Sequence, residues 1–234
     1  MQALILAGGL GTRLRSVVSD RPKPMADING KPFLYYILNK LLKGTIKNIV
    51  LAVGYKHEII EEYFGDGYGL NCDIEYSVEK ELLGTGGAIS NAKKFLLENE
   101  ILILNGDTYF NIDFDSMLQF HRKNNSNFTM ALRKVDDSSR YGSVEFDGDN
   151  RITNFVEKGV ESTSSYINGG IYIVNNNIIQ SLKENTKFSL EQETIPEILH
   201  NEGIYAFLSD EYFIDIGIPE DYERFCHDVK EEVL

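Results

Sequence analysis

The chain has 234 residues, enough for one large α/β domain or two small ones. Hydrophobic residues make up 42% of it, which suits a globular protein with a substantial core. The formal net charge of −13 excludes nucleic-acid backbone binding, which needs a basic face.

Residues 3–6 form an apolar run that reads as a first strand; the basic leader and cleavage site of a signal peptide are lacking. The strand enters Gly8-Gly9-Leu10-Gly11-Thr12-Arg13-Leu14, with Pro22-Lys23-Pro24 soon after. Glycines let backbone amides approach a ligand without Cβ interference, and such amides form an anion-binding concavity. Arg13, Arg15, Arg21 and Lys23 gather positive charge beside it in an otherwise acidic chain. A polyphosphate is the natural occupant, so a nucleoside triphosphate is the expected ligand.

Residues 32–43 carry Leu34, Ile37, Leu38, Leu41 and Leu42 at helical spacing, with Pro32 in the first turn and Gly44 closing the helix. A buried strand at 49–53, a helix at 57–64 and a strand at 73–77 follow. A second glycine-rich loop, Gly84-Thr85-Gly86-Gly87-Ala88, opens a helix extending to residue 98. The consecutive apolar residues 101–104 suit a strand covered on both faces. Residues 116–123 read as helical. Further on, two strands flank a turn at Asp147-Gly148-Asp149-Asn150, and 170–174 is another strand. Ser189 with Gln192 matches a capping box. Short strands at 204–208 and 212–214 precede a closing helix at 219–229. The polar stretch 162–165 reads as a mobile loop. Alternating β and α units predict an α/β fold: a Rossmann-like mixed, mainly parallel central sheet with helices on both faces. No repeat or linker interrupts the chain, so residues 1–234 are expected to form a single domain.

Other phosphate-binding patterns fail. The P-loop ending Gly-Lys-Ser/Thr is absent, and the dinucleotide fingerprint would need glycine where Leu14 stands. Asp107 follows the apolar run 101–104, at the carboxyl end of a strand, where open α/β sheets bind ligands. Asp215 lies between short apolar pieces. Hard Mg²⁺ is usually held by one or two carboxylates plus phosphate oxygens, which such a pair could supply. The Gly84–Ala88 loop offers a wall for a base and ribose, framed by Glu81, Leu82 and Leu83. Tyr141-Gly142, Glu157-Lys158 and Asn168-Gly169-Gly170 are candidate sugar-phosphate contacts. A lysine can neutralise a phosphate, and carboxylates and amides can bond hydroxyls. Asp113-Phe114-Asp115 is the Asp-x-Asp of metal-dependent glycosyltransferases, but carboxylates at a helix start are also explained by the macrodipole. The four histidines show no metal spacing and read as surface residues. Cys72 and Cys226 form neither a metal motif nor a disulfide framework, so reduced thiols in a cytoplasmic protein are expected. No apolar run reaches membrane-span length.

Taken in order, Leu6 through Leu14, Lys23-Pro24, Gly84 through Ala88, Asn105-Gly106-Asp107, Glu157-Lys158, Asn168-Gly169-Gly170 and Phe213-Ile214-Asp215-Ile216-Gly217 resemble the sugar-1-phosphate nucleotidyltransferases of the nucleotide-diphospho-sugar transferase superfamily. The resemblance implies attack of a sugar 1-phosphate on a nucleoside triphosphate. Leu6, Gly8, Gly9, Gly11 and Thr12 would bind the nucleotide with Gly84, Thr85, Gly87 and Asp107. Arg13 would grip the leaving phosphates, Lys23 would stand at the α-phosphate, and Mg²⁺ would rest on Asp107 and Asp215. Tyr141, Gly142, Glu157, Lys158, Asn168, Gly169 and Gly170 would take the sugar phosphate. Within the family the chain is most similar to bacterial manno-heptose 1-phosphate guanylyltransferases, which favours GTP. Other guanylyl-, thymidylyl- or uridylyltransferases share most of these motifs. A glycosyltransferase or a silent sugar-nucleotide binder is the reading from another class. Such relatives commonly read Ala-Pro where this chain has Ala26-Asp27, which removes a rigid turn residue. No nucleic acid, membrane or appended β-helix is expected, and a homo-oligomer is compatible with the sequence.

Overall fold

A computed structural model describes residues 1–9, 11, 14, 17–18, 20–138, 140–156, 164–201 and 203–233. The elements run β1 (Gln2–Leu6), β2 (Asp27–Ile28), β3 (Lys31–Pro32), α1 (Phe33–Lys43), β4 (Asn48–Val53), α2 (His57–Phe64), β5 (Asp73–Val78), α3 (Gly84–Ala92), β6 (Glu100–Asn105) and β7 (Thr108–Phe110). Then come α4 (Phe114–Lys123), β8 (Phe128–Lys134), β9 (Ser143–Phe146), β10 (Ile152–Val156), β11 (Tyr166–Asn175), α5 (Asn176–Ser181), α6 (Ile195–Asn201), β12 (Tyr205–Ser209), β13 (Phe213–Asp215) and α7 (Pro219–Lys230).

Strands β6, β1, β4 and β5 are parallel neighbours in that order, as the apolar runs predict. Beyond β6 the sheet turns antiparallel through β11 to β8, with β12 parallel to β8 at the far edge. The hairpin β9–β10 branches from the start of β11. The sheet is therefore mixed, with its parallel part built from the first half of the chain. Alternation divides its side chains between two layers. Ala3, Ile5, Leu102 and Leu104 face α1, α2, α4 and α7. Leu4, Ile101 and Ile103 face α3, α5 and α6.

The chain places β4 and β5 on one side of β1 and then crosses to put β6 on the other. Such a reversal opens a crevice at the carboxyl ends of the two central strands, the usual ligand position in open α/β sheets. Gly8-Gly9 leaves β1 there, and Asp107 leaves β6 there. Two small ribbons furnish the same edge. The β2–β3 hairpin follows a 3₁₀ turn at Lys23–Met25. Asp27 accepts the Gly30 amide at 3.0 Å, so an Asx-type turn supplies stiffness where proline is missing. The second ribbon pairs β7 with β13 and sets Asp215 opposite Thr108. Helix α7 starts on Pro219 and seats Phe225, fully buried, against Phe33 and Tyr109 at 4.9 and 5.6 Å between ring centroids, which anchors that ribbon.

Several sequence expectations need correction. Pro32 is extended and precedes α1 rather than opening it. The helix expected to reach residue 98 ends at Ala92, followed by a 3₁₀ turn to Phe95, and its glycines lie inside its first turns. The strand expected at 170–174 starts earlier, at Tyr166, so Asn168 and Gly169 also lie within β11. The Ser189 hydroxyl accepts the Gln192 amide at 3.2 Å, but the carboxylate returning to the Ser189 amide is Glu193, at 3.0 Å. The turn at Leu190–Thr194 is π-helical, and its wider winding moves the reciprocal partner one residue on. His121 is buried, not superficial, and bonds Thr129 and Asn175. Cys72 and Cys226 are free thiols. Among the described residues no helix is long and apolar enough to cross a membrane.

Candidate functional site

A cavity of about 530 Å³ occupies the crevice. Its walls are Leu6 to Gly9 and Gly11 from the first loop, Lys23-Pro24, Glu79 and Leu82 after β5, Gly84, Thr85 and Ala88 of α3, Asn105 and Asp107 of β6, and Lys187 and Gly217. Of the sequence-predicted nucleotide residues, Leu6, Gly8, Gly9, Gly11, Gly84, Thr85 and Asp107 thus border one space. Glu81 and Leu83 do not border it. Thr12, Arg13, Glu157 and Lys158 lie outside the described residues.

The first loop is fixed by the ends of its neighbours. The Ala7 amide donates to the Ala52 carbonyl at 2.7 Å and the Gly106 amide donates to the Leu6 carbonyl at 2.9 Å. Gly11 has φ +57°, and a Cβ there would stand 2.8 Å from the Lys23 Cβ. Glycine is required on both counts, and the contact seats the lysine stem.

Lys23 is buried and its ammonium lies between two carboxylates, 2.8 Å from Asp107 Oδ2 and 3.2 Å from Asp215 Oδ1. Burial lowers the lysine pKa, but the attraction of Asp107 and Asp215 outweighs it and leaves the pKa raised. At Asp107 burial pushes the carboxyl up, and Lys23 reverses this to hold it below the usual carboxylate range. Asp107 is enclosed by protein yet keeps 39% of its side chain open to the cavity. The β7–β13 ribbon sets the spacing, with the Ile216 amide donating to the Asp107 carbonyl at 3.0 Å. The two acids expected to act together are therefore side by side. Among the described residues no three His, Cys, Asp or Glu side chains cluster as a metal cage.

The α3 end of the cavity is built differently from a phosphate loop. The Phe188 carbonyl accepts from the Gly86 and Gly87 amides at 3.1 and 3.3 Å, so these first-turn donors are spent on the chain itself. The Phe188 ring fills the space above Gly86, and Gly87 is closed in by Leu83 and the Thr186 carbonyl, away from the cavity. The Thr85 hydroxyl donates to Glu191 at 2.6 Å and accepts the Leu190 amide at 2.8 Å. Glu79 stands opposite. It is buried, accepts the Leu83 amide at 3.0 Å, and would have an oxygen 2.5 Å from a Cβ on Gly8. Burial raises its pKa, opposed only in part by the Leu83 amide. Glu79 and Lys187 were missed in the sequence, because neither belongs to a spaced motif.

The described sugar-phosphate candidates, Tyr141, Gly142, Asn168, Gly169 and Gly170, form a second group outside the cavity lining. Tyr141 packs edge-on against Phe213 at 5.7 Å, two residues before Asp215. Gly142 accepts the Asn168 amide at 2.9 Å. Asn168 spends its side chain on the Tyr172 hydroxyl at 2.7 Å and the Gly170 amide at 2.9 Å, which shapes a break in the β11–β8 register. Gly169 lies under the Phe110 ring, and Gly170, at φ +68°, faces Asn105. Arg140 adds a cation at this end, bonded to buried Asp221 at 2.5 Å. Asp113 caps α4 by accepting the Asp115 and Ser116 amides at 2.9 and 3.1 Å, and so its carboxylate is committed to the helix.

The family profile described as nucleotidyl transferase matches residues 2–232. A D-glycero-α-D-manno-heptose 1-phosphate guanylyltransferase of Aneurinibacillus thermoaerophilus is 47% identical over 96% of each chain. One of Campylobacter jejuni is 48% identical over 96% of this chain and 98% of its own. The crystal structure of HddC from Yersinia pseudotuberculosis complexed with GMP-PN superposes with a TM-score of 0.86 at 39% identity, covering 97% of this chain and 99% of that one.

Proposed function

The chain belongs to the nucleotidyl transferase family, and from that premise we propose that it joins GTP to D-glycero-α-D-manno-heptose 1-phosphate, giving GDP-heptose and pyrophosphate. The observation that carries the reaction class is Lys23 seated between Asp107 and Asp215 at the edge of a glycine-lined cavity. The names of two relatives that match along nearly their whole length support the sugar and the base.

The nucleophile is a phosphate oxygen that is already anionic, so no general base is needed. The obstacle is the approach of two anions, and positioning with charge neutralisation removes it. Backbone amides of the first loop hold the triphosphate, with Arg13 on the departing pyrophosphate. Lys23 offers its charge where the reacting phosphorus arrives. Asp107, which lines the cavity, and Asp215 beside it offer hard, partly exposed oxygens and suit Mg²⁺ completed by phosphate oxygens. The ion supplies further neutralisation of phosphate charge when bound. Lys158 and Arg140 are the cations for the sugar phosphate.

Glu79 supports guanine. A carboxylate accepts from two adjacent donors, and guanine presents such a pair in N1–H and its 2-amino group. Adenine, uracil and thymine lack that pair. On this reading residues 1–234 carry the whole activity as a single domain, working in the cytoplasm.

The test is a pyrophosphate-release matrix of four triphosphates against several sugar 1-phosphates, with Mg²⁺. GTP with the manno-heptose phosphate is expected to give the highest kcat/KM. Release from another pair and not from this one would overturn the substrate assignment, and no release from any pair would overturn the reaction class.

A further inference from the structure

The cavity wall contains a buried polar atom with no hydrogen-bond partner among the described residues. Asn105 ends β6, and its Oδ1 is buried without a hydrogen bond among the described residues. Its amide nitrogen makes no hydrogen bond there either. A buried amide oxygen left unpaired costs about 1–3 kcal/mol, so such a group calls for a ligand or a water.

The fold aims this amide. Ile101 and Ile103 share the face covered by α3, and two-residue alternation puts Asn105 on that face, beside Leu6 across the parallel pair. On its other side the antiparallel register brings Gly170 opposite. A Cβ on Gly170 would stand 2.7 Å from Asn105 Nδ2, so glycine at that position leaves the amide its room. Asn105 therefore occupies the seam between the nucleotide cavity, which it lines, and the Asn168–Gly170 segment. The base end, with Glu79, lies after β5, across β1 and β4 from β6. Asp107, the acid for the reacting phosphate, is two residues on. On the nucleotidyl-transfer reading, a group at Asn105 would lie on the side of Asp107 away from the base end of the cavity.

We propose that Asn105 is a sugar-specificity residue, whose amide reads a pair of neighbouring hydroxyls on the sugar 1-phosphate. The carbonyl accepts from one hydroxyl and the NH₂ donates to the next, a match that a diol offers and a deoxy sugar does not. This rests on the nucleotidyl-transfer reading above. The ribose diol of the nucleotide has the same chemistry, and the experiment separates the two.

The experiment measures pyrophosphate release by the full chain and by Asn105→Leu and Asn105→Ser. GTP is paired with the manno-heptose 1-phosphate and with a series of sugar 1-phosphates each lacking one hydroxyl. Asn105→Leu is expected to raise the sugar KM about ten-fold and leave the GTP KM within about two-fold, with Asn105→Ser between. The unaltered protein should lose a similar factor in kcat/KM on one or two deoxy sugars, and Asn105→Leu should not distinguish those sugars from the parent. The deoxy series needs only the unaltered protein, so a variant that fails to fold does not remove the test. A raised GTP KM with an unchanged sugar KM assigns the amide to ribose and overturns the proposal. A flat deoxy series overturns it as well. Absence of release by the unaltered protein with every pair instead overturns the functional reading, and this inference with it.

Discussion

Replacing Lys23 by Met removes the one ammonium placed between Asp107 and Asp215 and leaves two carboxylates facing each other. At about 3 Å and an effective dielectric constant of about 20, each ion pair is worth roughly 5 kcal/mol before desolvation. Breaking a buried pair by removing one partner costs about 3–5 kcal/mol. Asp107 and Asp215 keep 39% and 26% of their side chains exposed, and solvent screening reduces the expected loss to about 1–3 kcal/mol. For a chain of this size that is a fall in Tm of roughly 3–10 °C. The pH dependence has a definite sign. In the unaltered protein Lys23 depresses the Asp107 pKa, so the associated stability is present above the ordinary value of 3.8 and is lost as pH falls through the lower folded value. In Lys23→Met only the Thr108 hydroxyl and a backbone hydrogen bond still oppose burial at Asp107, so its carboxyl protonates at a higher pH and acid relieves its repulsion with Asp215. The Tm gap should be widest near pH 7 and narrow toward about pH 4. Thermal melts followed by circular dichroism across that range measure it. A gap that does not change with pH, or no gap at pH 7, refutes the electrostatic account. Turnover should fall by about 100-fold or more with a far smaller change in substrate binding, and near-normal turnover would remove Lys23 from the chemistry.

Glu79→Gln should raise the KM for GTP about ten-fold and narrow its advantage over other triphosphates. In the unaltered protein GTP binding should weaken as pH falls toward the raised Glu79 pKa, a dependence absent from the variant; calorimetric titration of GTP at several pH values checks both. Asp113→Ala should cost about 1 kcal/mol of stability through loss of the α4 cap and leave kcat unchanged, whereas a metal-binding Asp-x-Asp would lose activity. Gly106→Ala places a Cβ 2.8 Å from the Leu6 carbonyl, a backbone contact that cannot swing aside, so β1 and β6 must part; a loss of about 1–3 kcal/mol in urea melts and a marked fall in turnover are expected.

The parts legible in the sequence were those carried by local pattern. Apolar runs located β1, β4 and β6, and the acid placed just past 101–104 did reach the crevice. What escaped depended on contacts distant along the chain. Glu79 is an unremarkable charge until Gly8 and the Leu83 amide enclose it. The glycines at 86 and 87 suggested an open loop, but their small size accommodates Phe188 and Thr186. Strand β7 has three residues and no periodicity of its own; its pairing with β13 makes it a strand. The burial of His121 is legible in the pattern, because Phe114, Met117 and His121 are the buried residues of α4 and recur at helical spacing.

The β7–β13 ribbon also makes the acid pair depend on segments far apart in the chain. The pairing of β13 with β7 sets Asp215 close to Asp107, and Phe225 of α7 packs against Tyr109 of that ribbon. A chain that stops short of residue 215 holds only half of the acid pair. Truncation ahead of residue 215 should abolish catalysis, because it leaves Asp107 without its partner acid.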